Sequence, residues 1–99
     1  MVTSSSSNPS CASEEFLALL GQARGGDTES LGALLQWYSN YLTILATTQL
    51  DRRLRRRMNP SDLVQETMLA AHRDFRDFRG VSQPEMLGWL RKILINTLH

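Results

Sequence analysis

The sequence predicts an all-α fold, a small bundle of about four helices, and three observations predict it. Apolar residues recur three and four apart along most of the chain, and no stretch alternates with period two. Residues that cap or stop helices stand at the borders of each periodic stretch. The chain has 99 residues, 41% of them hydrophobic, which suits one small domain and leaves no room for a second core.

The leader "MVTSSSSNPSCAS" is rich in Ser and lacks the basic start and apolar centre of a signal peptide. Residues 1–12 are therefore expected to form a disordered arm ahead of a helical domain over 13–99. Ser13 can cap a first helix that opens with Glu14 and Glu15, both favourable at a positive helix end. Phe16, Leu17, Leu19 and Leu20 supply its apolar side, and Gly25-Gly26 stops it.

Asp27 caps the second helix. Its apolar series of Leu31, Leu34, Leu35, Tyr38, Leu42, Leu45 and Leu54 runs to about Arg57, long enough that a kink near Ser39-Asn40 is expected. Asn59 caps the third, with Pro60 in the first helical position, where a missing N–H is harmless. Val64, Met68, Ala71 and Phe75 form its inward stripe, with Leu63 and Thr67 beside it. Gly80 breaks the pattern. Ser82 and Glu85, three apart, form a capping box for the fourth helix, in which Met86, Leu87, Leu90, Ile93, Leu94 and Leu98 face inward.

The net charge is only +1, but the charges are unevenly placed. Residues 1–51 hold a single base, Arg24, whereas Arg52, Arg53, Arg55, Arg56 and Arg57 crowd the end of the second helix. Ten of the eleven basic residues are Arg, whose planar fork suits phosphates and carboxylates and stacks on bases.

Catalysis is not expected. The two histidines, His72 and His99, are far apart in sequence, Gly25-Gly26 is a helix stop rather than a phosphate cradle, and no Cys/His set has metal-ligand spacing. No cofactor is implied. Cys11 is the only cysteine, so no disulfide forms within the chain and a cytoplasmic setting fits. No apolar run approaches the ~20 residues of a membrane span. A helix lying on a membrane surface over 50–57 would have only Leu50 and Leu54 to insert. Binding remains: acid and amide groups on the third helix, then Phe75, Arg76, Phe78 and Arg79, then Trp89, Arg91 and Lys92. Rings interleaved with Arg suit single-stranded nucleic acid.

Three blocks in order carry a family resemblance: Asp62-Leu63-Val64-Gln65-Glu66-Thr67, then Phe78-Arg79-Gly80, then Trp89-Leu90 with Lys92, Ile93 and Asn96, preceded by the helix start at Gly26-Asp27. Together they resemble the second conserved region of bacterial sigma factors of the extracytoplasmic-function group, over about residues 14–99. The resemblance implies a sigma region 2-like helical domain that acts in transcription initiation. Asp62, Gln65 and Glu66, flanked by Leu69 and His72, would dock on the clamp-helix coiled coil of the RNA polymerase β′ subunit. Phe78, Arg79, Gly80 and Ser82 would shape a pocket for a flipped non-template base of the promoter minus-ten element. Arg91, Lys92 and Asn96 would follow the strand or touch duplex edges. An anti-sigma factor is among the partners the family implies.

The chain departs from the family pattern in two places. The stretch from Ser82 to Trp89 holds Pro84 and is longer than in many members, and Met86 and Leu87 stand where many carry an aromatic. Family members also continue into a helix-turn-helix domain that reads the minus-thirty-five element, so a chain stopping at His99 is expected to be a fragment or, as the alternative, a natural short form. A different reading of the same residues is a protein-only helical adaptor with no nucleic-acid role.

Overall fold

A computed structural model describes the backbone of residues 9–53 and 58–98 and the side chains of 13–52 and 58–98. The described residues form five α-helices and no strand: α1 (Pro9–Arg24), α2 (Thr28–Gln36), α3 (Ser39–Arg53), α4 (Pro60–Asp74), followed by a 3-10 turn (Phe75–Asp77), and α5 (Gln83–Leu98). The all-α class is as expected, with one helix more than the sequence suggested.

α1 begins at Pro9, ahead of the expected Ser13 cap. Its buried stripe is Phe16, Leu20 and Ala23, four and three apart, while Leu17 faces solvent and Leu19 is half-buried. The helix ends as expected at the glycine pair. The Gly26 N–H donates to the Ala23 carbonyl and the Asp27 N–H to the Gln22 carbonyl. Gly26 has φ +104°, a conformation strained for any residue with a Cβ.

Asp27 is the N-cap of α2, its carboxylate accepting from the Glu29 and Ser30 N–H groups. The buried Ser30 hydroxyl bonds both the Gln22 Oε1 (2.6 Å) and the Asp27 Oδ2 (2.9 Å), which ties the corner between α1 and α2. The Ser30 bonds hold the Asp27 carboxyl below its usual range.

The long second helix of the sequence reading is in fact two. At Trp37 and Tyr38 the backbone tightens to i→i−3 bonds, Trp37 N–H to Leu34 O and Tyr38 N–H to Leu35 O, and α3 then restarts. The buried residues Leu31, Leu35, Tyr38, Leu42, Ala46 and Leu50 stay in phase across that turn, so the apolar pattern carries no mark of it. Tyr38 is buried, and desolvation pushes its phenol up to about 12. Of the arginine cluster, the side chains of 53–57 lie outside the described residues, as do residues 1–8, the side chain of Cys11 and His99.

Asn59 caps α4 by accepting the Asp62 N–H at 2.9 Å, with Pro60 at the start as expected. Its buried face is Leu63, Val64, Thr67, Ala70 and Ala71, so the stripe lies slightly to one side of the expected one and Met68 is only half-buried. Thr67 is fully buried and gives its hydroxyl to the Leu63 carbonyl at 2.8 Å, so its own donor is paired. The capping box of α5 is present. Glu85 N–H donates to Ser82 Oγ at 3.3 Å, and Ser82 N–H donates to Glu85 Oε1 at 3.1 Å. Met86, Leu90, Leu94 and Leu98 pack inward, four apart, with Leu87 and Ile93 half-buried. α4 packs on both α3 and α5, and α1 packs on α2. α4 is thus held from two sides while its third side stays open.

Candidate functional site

The open side of α4 carries Asp62, Gln65, Glu66, Leu69 and His72, all exposed. Their spacings of three, one, three and three keep them on one face. At ~1.5 Å per residue they span about 15 Å of helix. Leu69 is 69% exposed, unusual for a leucine in the middle of a helix. Between this face and α3 runs a groove of about 870 Å³. Gln65, Met68, Leu69 and His72 line it from α4 and Ser39, Thr43 and Thr47 from α3; among the described residues no Arg or Lys lines it. The Thr43 and Thr47 hydroxyls donate to their own helix carbonyls at 2.9 Å, so they bring no free donor to the groove. Asp62 and Glu66 stand on the same helix face but outside the groove lining.

Beyond α4 the chain turns through Phe78, Arg79 and Gly80. Phe78 is part of the core. Its ring is 5% exposed, with its centroid 5.0 Å from the Trp89 ring and 6.3 Å from the Phe75 ring. An aromatic trio of this kind gains more from mutual packing than from an exposed face.

Arg24, the lone base of the first half, closes over the trio. Its guanidinium lies 5.5 Å from the Phe78 ring centroid and donates from Nη2 to the carbonyls of Phe78 (2.9 Å) and Gly80 (2.8 Å). The turn approaches its own ring so closely that a Cβ on Gly80 would meet Phe78 Cζ at 2.5 Å and Glu85 Cβ at 2.8 Å. The Phe-Arg-Gly sequence therefore makes structural sense: a ring to bury, a cation to expose, and a glycine where no side chain fits. Ser82 is occupied in the α5 capping box, where Glu85 Oε1 also accepts the Val81 N–H at 2.8 Å. These bonds, that of Val81 foremost, hold the Glu85 carboxyl below its usual range.

A second cleft, of about 670 Å³, opens between the α1–α2 corner and the end of α4. Arg24, Arg73, Arg76 and Arg79 line it, with His72 and a single carboxylate, Asp27. Arg73 is paired with Asp74 through two 2.9 Å bonds, the one ion pair among the described residues. That hydrogen bonding keeps the Asp74 carboxyl low. Arg76 and Arg79 are exposed and form no such pair.

Arg91, Lys92 and Asn96 are exposed on α5, away from its buried stripe, and line neither cleft. The structure thus joins Arg79 to α1, α2 and α4 rather than to the α5 cations. Arg24 escaped the reading of site residues because its partners are distant in sequence, and its isolation in an acidic half was the only local sign. Among the described residues no helix is long and apolar enough to cross a membrane, and no cluster of His, Cys, Asp or Glu could hold a metal ion. Comparison with protein-family models, with curated proteins and with solved structures gave no match.

Proposed function

We propose that this chain is a promoter-recognition domain of the extracytoplasmic-function sigma type. It docks on the clamp helices of the RNA polymerase β′ subunit through α4 and captures unpaired non-template bases of the minus-ten element beside the Phe78–Gly80 turn. One observation carries the reading: all five residues assigned to polymerase contact are exposed on a single face of one capped helix. Acceptors and an amide on a rigid helix suit charge-assisted bonds to an Arg-bearing partner helix. Leu69 and the groove beside it supply apolar area for the same contact.

In this scheme Phe78 and Gly80 shape the reading loop, and the exposed Arg79 and Val81 meet the strand. Flipping a base costs a few kcal/mol; contacts of ~1–3 kcal/mol per captured base offset it. No nucleotide hydrolysis is needed. The test is the double variant Gln65→Ala, Glu66→Ala. It should bind isolated β′ clamp helices at least about tenfold more weakly, the scale of one charged hydrogen bond, with unchanged thermal melting. Unchanged affinity overturns the proposal.

A protein-only helical adaptor is the second reading, favoured by the exposed Leu69 at the rim of the groove. It requires single-strand binding to be absent or insensitive to salt, whereas a sigma domain binds a promoter strand less tightly as salt rises.

A further inference from the structure

The basic cleft shares only His72 with the α4 docking face and contains residues that the resemblance does not assign, Arg24, Arg73 and Arg76. We infer that it is a phosphate-binding track for a single nucleic-acid strand, with Arg76 and Arg79 contacting phosphodiester oxygens and Arg24 acting as the positioning residue. The inference rests on the nucleic-acid half of the reading above.

Charge comes first. Four guanidiniums share one cleft with one carboxylate on its wall. Asp27 is one negative charge against four, and its carboxylate is bonded to two N–H groups and a hydroxyl at the start of α2 rather than to any of these arginines. Asp74 answers Arg73 alone. Arg76 and Arg79 remain, and cations gathered around a concavity raise the local concentration of anions.

Geometry comes second. Arg24 grips the carbonyls of residues 78 and 80, one on each side of Arg79. The backbone that presents Arg79 is therefore fixed before any ligand arrives, which lowers the ordering cost of binding. The Gly80 contact with the Phe78 ring fixes it from the other side.

Form comes third. The arginines at 73, 76 and 79 enter at intervals of three residues from a helix end, a 3-10 turn and a loop, and the cleft is far larger than one ion. A succession of phosphates suits that arrangement better than a single anion.

The experiment measures binding of the full chain to oligothymidylate and to an all-abasic phosphodiester strand of equal length, between 50 and 200 mM salt. Arg76→Gln, Arg79→Gln should weaken binding to both strands. It should also lower the salt slope by about 1.4, which is two single-strand phosphate contacts and about sevenfold less loss of affinity over that range. Arg76→Lys, Arg79→Lys should keep the slope, and Arg24→Ala should weaken both strands although residues 76 and 79 are intact. Inorganic phosphate at matched ionic strength should not displace either strand; displacement would mean a free-phosphate site and overturn the track.

The inference also fails if the double Gln variant keeps the wild-type slope while Arg91→Gln, Lys92→Gln loses it, or if only oligothymidylate responds. Either result leaves the sigma reading standing. A wild-type chain that binds neither strand overturns both.

Discussion

Two clefts flank α4, and His72 borders both. Among the described residues the groove on the α3 side is lined by amides, hydroxyls and apolar side chains with no Arg or Lys; the cleft on the other side is lined by four arginines. The difference follows from position along the helix. The groove begins at the capped start of α4, where the first turn favours acids such as Asp62. The basic cleft gathers at the far end, where the helix dipole favours cations and Arg73 stands in the last turn. One rigid element can thus present unlike chemistry to two partners.

The comparison also predicts where stability resides. The groove side exposes its distinctive residues, whereas the cleft side rests on a buried ring. Phe78→Ala should lower the unfolding free energy by about 3–5 kcal/mol, the range for a large aromatic removed from a core. Leu69→Ala, on the groove side, should stay within about 0.5 kcal/mol. Urea denaturation of the two variants measures both, and equal losses would erase the distinction.

Gly80→Ala comes next. The added methyl has to displace the Phe78 ring or the start of α5, and overpacking of this kind costs about 1–3 kcal/mol. An unchanged urea midpoint would show that the turn yields easily and that Arg79 is not held in place.

Smaller than the losses at Phe78 and Gly80 are those at the α5 cap. Ser82→Ala should cost about 1 kcal/mol. The Glu85 carboxyl is held below its usual range in the folded chain. Its contribution is therefore complete above the ordinary Glu value, 4.5, and is lost as pH falls from there through the lower folded value. Glu85→Gln should flatten that part of the acid limb when urea midpoints are compared across the carboxylate range. Asp27, lowered by its Ser30 bonds, should behave the same way at α2.

How much of this was legible in the sequence depended on how local the cause was. The Asn59-Pro60 start, the Asp27 cap, the Gly25-Gly26 stop and the Ser82–Glu85 box act within a few residues, and all are where the sequence put them. The exposed face of α4 followed from its period. The break expected near Ser39-Asn40 lies at Trp37-Tyr38; length alone pointed to it, since the turn has no glycine or proline and leaves the apolar phase intact. The burial of Phe78 was not legible, because neither the place of the Trp89 ring nor the guanidinium that covers it can be deduced from adjacent residues. Arg24 bonds partners 54 and 56 residues away.

That long reach limits how the domain can be divided. A hairpin cut from residues 59–98 would retain every letter of the Phe-Arg-Gly turn and yet lack the side chain that fastens it. Whoever transplants the turn to another scaffold must supply a guanidinium from outside the hairpin, aimed at two backbone oxygens at once.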